Sequence, residues 1–512
     1  MMYQLKSMAE FRRVTRDLQK VVAIESGSLH EEKRCYYDTF DWRIFRNGYS
    51  LYRIGNSWSI RVIKTGAIVK TVETTSAQAG CRYWWHFPEG DFQDLLQSMT
   101  SIRTLVQLCE IDCSTQHFSA MNTDGKIVSR LELLKFDAVP AGQTLFLRIR
   151  PVRGYRDETA LLEKIIRSHG QPASQANAFM VFMSAAGLQP GDYSSKFVSR
   201  LHPDMTLAQA AVTIFRQLLE VIEKNRDGVI EDLDTEYLHD LRVAIRRTRS
   251  ALTQFKGVFP ERTRLKFKKG FAEFGKASNI LRDLDVYLLK KGKYQKILPP
   301  DLQSGLDPLF DAFVESRKKE HTGFIKVLRS AKYRNFLRSW ADFLDKFAES
   351  KAATMRTAAK PVVPAASQII LKRYRKILKQ GARIDSRSKD ESLHQLRIEC
   401  KKLRYSLEFF RSLFPAEDME NLIVELKRIQ DVLGNFNDFS VQRENLAVYL
   451  DDVQASEEDG SITGAAIGGL ITQLYQQQRS VRDQFHDVFA EFSKPGNIKL
   501  YEQLFSRESS WI

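Results

Sequence analysis

Two segments of the sequence repeat a pattern of one histidine followed by three cations. The first stripe consists of His239, Arg242, Arg246 and Arg249. The second stripe lies 155 residues further along and consists of His394, Arg397, Lys401 and Arg404. Spacings of three and four place each set on one helix face, within about 80° at about 100° per residue. Arginine forks pair with phosphate oxygens and histidine donates to them, so each stripe predicts binding of a multivalent anion.

The repeat extends beyond the stripes. Nine of 23 positions are identical between residues 238–260 and 393–415, and Asp283 matches Asp438 at the same offset. Apolar side chains such as Leu241 and Phe255 fall opposite the first stripe. We therefore expect two copies of one helical unit, about 204–355 and 360–512, packed about a pseudo-twofold axis. The stripes would then either face outward or line a shared groove.

Other chemistry at the stripes is less favoured by the residue types. A single basic helix face is usually a solvated surface, and a histidine can serve as a general base. A divalent cation is opposed by the surrounding cations, and no carboxylate or cysteine lies within either stripe. We predict no catalytic residue and no metal site there, and a structural role for Asp283 and Asp438.

The rest of the chain divides into two kinds of pattern. Alternating runs at 49–54, 57–63, 67–71, 126–136 and 144–151, bounded by turn residues, predict antiparallel strands. From about Met205 onward the apolar spacing is three and four, which predicts helices. The expected fold class is an α+β domain with an antiparallel sheet or barrel over 1–195, followed by an all-α domain over 200–512.

Charge and cysteine content limit the partner and the compartment. The 512 residues carry a net charge of +15, concentrated in 238–282, with 12 basic and three acidic residues, and in 372–389, with eight and one. Such an excess favours an anionic partner. Five cysteines, no apolar signal segment and no run of about 20 apolar residues predict a cytoplasmic protein without a membrane span.

The helical half resembles the CHAD family, the conserved-histidine α-helical domain. The likeness rests on Leu238-His239-Asp240-Leu241-Arg242 with Arg282-Asp283, and on Leu393-His394-Gln395-Leu396-Arg397 with Asn437-Asp438. It implies two pseudo-twofold-related four-helix bundles that bind inorganic polyphosphate without catalysis and without a cofactor. The site residues it implies are His239, Arg242, Arg246, Arg249, Arg282, His394, Arg397, Lys401, Arg404 and Lys427. Ala272 stands where the first repeat would match Lys427, and nearby lysines could compensate.

The N-terminal half is similar to CYTH domains, which have the triphosphate-tunnel fold. Tyr36-Tyr37-Asp38-Thr39 and Arg130-Leu131-Glu132-Leu133 carry this resemblance. The family's opening Glu-x-Glu-x-Lys supplies metal-binding carboxylates, and only Lys6 of it remains. This implies a degenerate CYTH-like domain without activity. It could still bind an anion through the cations Lys6, Arg53, Arg61, Lys64, Arg148 and Arg150.

Two other functions stay open. One is a triphosphate or polyphosphate hydrolase that uses the N-terminal domain, although the missing carboxylate pair removes its metal-assisted mechanism. The other is nucleic-acid binding, which phosphate contacts alone do not distinguish. Base stacking needs aromatic side chains on the basic face, whereas Phe255 and Phe410 fall on the apolar side. We expect a cytoplasmic location with association with polyphosphate granules, while the oligomeric state is not predicted.

Overall fold

The computed structural model describes residues 1–75, 82–138, 142–198, 200–350, 356–385, 387–454 and 460–506. These residues form two compact units, Met1–Ser195 and Lys196–Ile512. The predicted ends of the two repeats, at 355 and 512, lie outside the described residues.

The N-terminal unit is built on one antiparallel sheet. Its strands are β1 Met2–Leu5, β2 Ala23–Thr39, β3 Tyr49–Ile54, β4 Ser57–Val62, β5 Ile68–Glu73, β6 Leu105–Met121, β7 Ile127–Ala138, β8 Gly142–Pro151 and β9 Gln171–Ala173. The strand order is β5-β4-β3-β2-β6-β7-β8-β1-β9. The five alternating runs predicted as strands correspond to β3, β4, β5, β7 and β8. The two longest strands, β2 and β6 at 17 residues each, were not predicted.

In the part of this unit that the structure describes, five α-helices accompany the sheet, namely α1 Met8–Leu18, α2 Arg43–Arg46, α3 Asp91–Thr100, α4 Arg156–His169 and α5 Gln175–Ala185. The apolar sides of α1 and α4 bury Val14, Leu18, Leu162 and Ile166 against the sheet. Helix α5 buries Phe179 and Phe182 against Tyr36 and Phe136, which come from β2 and β7. The same buried cluster includes Tyr52 of β3 and Met2 of β1, which are five places apart in the strand order, so the sheet is curved around α5.

The second unit is helical throughout its described part. Its helices are α6 Leu207–Ile230, α7 Thr235–Gln254, α8 Glu261–Ala277, α9 Asn279–Leu289, α10 Lys291–Lys296, α11 Pro300–Gln303, α12 Asp307–Arg329, α13 Ala331–Glu349, α14 Val362–Gly381, α15 Asp390–Phe410, α16 Ala416–Gln454, α17 Gly460–Phe492 and α18 Pro495–Phe505. Side chains cap the first turns of α6 and α7. Thr206 and Gln209 form a capping box for α6, and the Asp234 carboxylate accepts from Glu236 N and Tyr237 N at the start of α7.

The repeat predicted from sequence corresponds to matched helices. Helices α6 and α7 correspond to α14 and α15, and the α8–α9 segment corresponds to the single 39-residue helix α16. Within each repeat, the first helix packs on the second and the second on the third. The prediction of an antiparallel α+β domain followed by an all-α domain is confirmed.

The two repeats contact each other through equivalent residues. Leu207 N donates to Lys360 O at 2.8 Å, and Val362 N donates to Met205 O at 2.9 Å. Each residue of one bond lies 155 positions from its counterpart in the other, so the two bonds are the same bond made twice. Reciprocal contacts of this kind are the mark of a twofold, isologous interface. The two copies are therefore packed about a pseudo-twofold axis.

Phe255 and Phe410, another equivalent pair, meet edge to face with ring centroids 5.9 Å apart. Both are almost completely buried, at 1% exposure each. Aromatic pairs with this geometry add stabilisation beyond the apolar area that they bury. The phenylalanine pair therefore links the second helix of one repeat to the second helix of the other.

We predict that Phe255→Ala and Phe410→Ala each lower the free energy of unfolding of the full chain by about 3–5 kcal/mol. The double variant should lose less than the sum, by about 0.5–3 kcal/mol, because each change already removes the shared ring contact. Chemical denaturation monitored by circular dichroism measures this. Phe310 lies in a separate buried cluster. The loss of unfolding free energy caused by Phe310→Ala should therefore be additive with the loss caused by Phe255→Ala. Additivity of the Phe255 and Phe410 changes would contradict the contact.

Candidate functional site: a shared cationic groove

The packing of α7 against α15 brings the two predicted stripes together. Arg246 Nε of the first stripe donates to Tyr405 Oη of the second repeat at 3.1 Å. Burial lowers the pKa of both Arg397 and Lys401, and the charge of Arg246 acts in the same direction on each. The stripes therefore form one surface, which we call the cationic groove and define by the eight His, Arg and Lys residues of the two stripes. Residues of the two stripes therefore approach each other, as the shared arrangement considered from sequence requires.

In the first repeat, Arg242 is held in place by three acceptors. Its Nη1 donates to Gly275 O at 3.0 Å and to Ser278 Oγ at 2.6 Å, and its Nη2 donates to Asn279 Oδ1 at 2.9 Å. Burial, followed by repulsion from Arg246, lowers the pKa of Arg242 to about 10. The guanidinium is thus positioned by the junction between α8 and α9. His239 is half-buried on the same face of α7, and Arg246 and Arg249 are exposed.

In the second repeat, His394 is oriented by a side chain of α16. Its Nδ1 lies 2.7 Å from Asn437 Oδ1. An amide oxygen only accepts, so Nδ1 carries the proton of this bond. Nε2 is then an acceptor in the neutral ring and a donor in the protonated ring. Contact with phosphate oxygens through Nε2 would require the protonated form.

Lys401 carries the largest electrostatic cost in the groove. Burial lowers its pKa to about 7, and repulsion from Arg246, Arg397 and Arg404 acts in the same direction. Asp438 opposes the shift. Burial likewise lowers the pKa of Arg397. The free protein therefore holds a lysine near half-protonation at neutral pH, a state that a bound polyanion would reverse.

Carboxylates approach the groove from positions outside the stripes. Glu408, one turn beyond the second stripe, pairs with Arg404 Nε at 2.8 Å and with Arg247 Nη2 at 2.7 Å. Asp438 Oδ1 lies 3.4 Å from Arg397 Nη2. The stripes themselves contain no acid, as the sequence showed, but their repulsion is partly relieved by these neighbours.

The two remaining predicted residues occupy different surroundings. Arg282 Nη1 donates to Thr235 O at 3.1 Å, so its guanidinium contacts the first turn of α7. Lys427 is exposed on α16, one turn from Gln430, whose Oε1 accepts from Arg404 Nη1 at 3.2 Å. Arg282 and Asn437 occupy equivalent positions, so the repeats use different side chains there.

Four residues that bond to side chains of the cationic groove were not among the site residues predicted from the sequence. They are Tyr405, Gln430, Asn437 and Asn279. Gln430 and Asn437 follow Lys427 by three and ten residues, which places all three on one face of α16. This spacing could have pointed to the three residues from the sequence, although uncharged amides on a helix do not by themselves predict an anion site. Gln430 Nε2 is buried and has no hydrogen-bond partner among the described residues.

The curved sheet of the N-terminal unit encloses a cavity of about 240 Å³. Arg61, Arg148 and Arg150 line it, as does Arg34; Lys6, Arg53 and Lys64 are not among its lining residues. Glu132 is its acidic lining residue. This carboxylate forms ion pairs with Arg148 Nη1 and with Arg150 Nε, each at 2.9 Å.

The metal that the CYTH resemblance implies would need carboxylate oxygens in this cavity. Both oxygens of Glu132 are already paired with guanidinium groups. Across the described ranges, no three His, Cys, Asp or Glu side chains lie close enough together to hold a metal ion. The residues present therefore do not fit a divalent cation.

Within the same described ranges, the helices include none that is both long and apolar enough to cross a bilayer.

Comparison with known proteins relates the helical unit to one family. The CHAD domain family model matches residues 213–447, a range that includes all ten predicted site residues. Uncharacterized proteins from two strains of Mycobacterium tuberculosis are 27% identical over 254 residues, which are 48% of this chain and 45% of each relative. The match thus spans less than half the length of those curated relatives.

Two solved structures are also similar. The CHAD domain from the plant Ricinus communis is 25% identical, with a TM-score of 0.48, over 57% of this chain and 96% of that domain. PptA from Streptomyces chartreusis is 14% identical, with a TM-score of 0.44, over 56% of this chain and 99% of that protein. Residues 213–447, which carry the internal repeat and the paired histidine-containing stripes, therefore match the CHAD domain.

Proposed function

We propose that the protein binds inorganic polyphosphate in the cationic groove and does not transform it. The observation that carries this proposal is the packing of two cation stripes from equivalent helices into one surface, with Arg246 in contact with Tyr405 across the axis. The CHAD domain supports a polyphosphate-related role. The site comprises the eight groove residues together with Arg282 and Lys427 at its margins.

Binding would be driven by charge neutralisation and by directed hydrogen bonds. Clustered cations displace the counterions of a polyanion, which makes affinity fall linearly in a plot of log K against log salt. Guanidinium groups add bidentate contacts with phosphate oxygens. Arg242 and Arg397 are held by protein partners and so lose little side-chain freedom when they bind.

Nucleic acid fits the groove less well. Single strands without sequence preference bind by stacking bases on exposed aromatic rings. Phe255 and Phe410 are buried at the pseudo-twofold axis. Tyr405 is buried too, with its hydroxyl bonded to Arg246 and its ring 5.8 Å from the Arg247 guanidinium carbon. These aromatic side chains serve packing and orientation rather than base stacking.

Charge reversal of the groove should abolish polyphosphate binding. The variant carries Glu at Arg242, Arg246, Arg397 and Lys401, which replaces attraction by repulsion at the point where the stripes meet. A matched control carries Glu at four exposed cations of α12 and α13, namely Lys319, Lys326, Arg338 and Lys346. It has the same net charge and should keep most of the affinity. Equal affinity of groove variant and wild type, measured by fluorescence anisotropy, would refute the proposed site.

The affinity should decrease as pH rises above 7. Lys401 is half neutral near pH 7 in the free protein, and a bound polyanion favours its charged form, so binding takes up a proton. Between pH 7 and 8.5 we expect the Kd for long-chain polyphosphate to rise by up to about 16-fold, which is the fall in the protonated fraction of a group with a pKa of about 7. Lys401→Arg should flatten this profile, since a guanidinium stays charged. Parallel profiles for wild type and Lys401→Arg would show that Lys401 does not titrate on binding.

The full chain should not release phosphate from tripolyphosphate with Mg²⁺ or Mn²⁺. The cavity carboxylate Glu132 is paired with two arginines, which leaves no oxygen to bridge a metal to substrate. A malachite-green assay would detect turnover. Metal-dependent release that is lost in Glu132→Gln would establish the hydrolase alternative instead.

The proposed function also predicts a cytoplasmic location on polyphosphate granules.

A further inference from the structure

Helix α8 borders the cationic groove on the side of the first repeat. Near the start of α8, Arg264 Nη1 donates to Leu252 O of α7 at 2.9 Å. Near its end, Gly275 O accepts from Arg242 Nη1 at 3.0 Å. Gly275 also lies against Arg249, since a Cβ placed on this glycine would be 3.8 Å from Arg249 Nη1. Helix α8 therefore runs antiparallel to α7 and accompanies the first stripe from Arg242 to Arg249.

Three lysines lie on the outer side of α8, next to this border. At about 100° per residue, they are about 20°, 100° and 120° around the helix axis from Gly275, in the order Lys268, Lys276 and Lys269. Lys269 and Lys276 are exposed, and Lys268 is half-buried. The buried phenylalanines of α8 lie on the other side of Gly275, at Phe267, Phe271 and Phe274. We call Lys268, Lys269 and Lys276 the α8 lysines.

The two acidic residues of α8 are paired with other cations. Both carboxylate oxygens of Glu261 accept from Arg264, at 2.6 and 2.8 Å. Glu273 accepts from Lys332 Nζ of α13 at 3.1 Å. Residues 261–276 carry six basic residues and these two acids, a net charge of +4. The α8 lysines therefore add net positive charge beside the groove.

Helix α16 borders the groove on the opposite side, where Asn437 and Gln430 bond to His394 and Arg404. Its first part has the opposite charge to α8, because residues 416–431 carry two basic and five acidic residues, a net charge of −3. At the offset of 155 residues, the α8 lysines correspond to Ile423, Val424 and Asp431. A polyanion that leaves the groove is therefore attracted over α8 and repelled over this part of α16.

The spacing of the helices makes this difference depend on the length of the ligand. Across the surface, the order of the helices is α8, α7, α15 and α16. Packed neighbouring helices are about 8–10 Å apart, which puts the axis of α8 about 12–15 Å from the contact between α7 and α15. A tripolyphosphate ion centred where the stripes meet ends before it reaches the α8 lysines. A long chain covers both stripes and continues over α8.

We propose that the α8 lysines form a one-sided extension of the cationic groove, which binds long phosphate chains and not short ones. The inference rests on the proposed function and adds to it a preference for chain length and a direction for the bound chain. Each further phosphate that meets a lysine releases counterions, so a long chain gains affinity that a short chain lacks. Lysine suits this role, because its ammonium group contacts phosphate as a point charge.

The test is the full-length triple variant Lys268→Gln, Lys269→Gln and Lys276→Gln, which removes three charges and keeps good helix formers. The Kd for long-chain polyphosphate should rise by more than about tenfold at physiological salt. The slope of log K against log salt should decrease in magnitude by about 2–3. The Kd for tripolyphosphate should change by less than about twofold, since charges beyond the Debye length of about 8 Å are screened. Isothermal titration calorimetry measures both ligands.

Two further variants control for net charge and for folding. The first removes the same charge from exposed positions of the second repeat, by Lys372→Gln, Lys379→Gln and Lys499→Gln, and should bind both ligands like wild type. The second replaces the three α8 lysines by arginine, which keeps the charge and should preserve the long-chain affinity.

The outcomes separate this inference from the function on which it rests. Wild type that does not bind long-chain polyphosphate refutes the proposed function, and the inference with it. If wild type binds and the glutamine variant of α8 keeps the long-chain affinity and the salt slope, the inference alone is refuted. Equal losses for the two ligands, or for the α8 variant and the second-repeat control, would also refute it, because they would reflect net charge rather than a local extension.

Discussion

The packing of the helical unit depends on contacts between equivalent positions of two repeated helices. A side chain that lies on a pseudo-twofold axis meets its own counterpart, as Phe255 meets Phe410. For apolar side chains such self-contact is favourable. For the cations about two to four turns away it is not, since Arg246 is then brought toward Arg397 and Lys401. The same packing that buries the aromatic pair therefore concentrates positive charge on the neighbouring surface.

The fold lowers the cost of this concentration in ways that differ between the repeats. Arg242 is bound by backbone and side-chain oxygens at the α8–α9 junction, whereas Arg404 is bound by Glu408 and Gln430. Among the described residues, Lys401 has no oxygen partner of this kind, and burial and the neighbouring cations lower its pKa instead. The two repeats therefore differ in the partners of their cations, at positions where two identical repeats would bring like charges together. A polyanion would supply the charge compensation that the protein provides only in part.

The sequence predicted the groove more fully than it predicted the N-terminal sheet. Helical spacing and the 155-residue offset were sufficient to place six cations and two histidines on two equivalent faces. The partners of those cations could not be found in this way, because Asn437 and Tyr405 reach them through space from other helices or the other repeat. In the sheet, β2 was missed because its first half, Ala23–Arg34, is mostly polar and solvent-exposed on both faces. Its pairing with β6, rather than an alternating pattern, makes it a strand.

The most direct test of the central claim is a competition experiment with the full chain at physiological salt. Labelled long-chain polyphosphate is bound to the protein and challenged with unlabelled polyphosphate or with single-stranded RNA, each at matched phosphate concentration. A groove that recognises closely spaced phosphates without base stacking predicts displacement by polyphosphate at a much lower concentration than by RNA. Displacement by RNA at an equal or lower concentration would contradict the assignment and identify a nucleic-acid-binding protein.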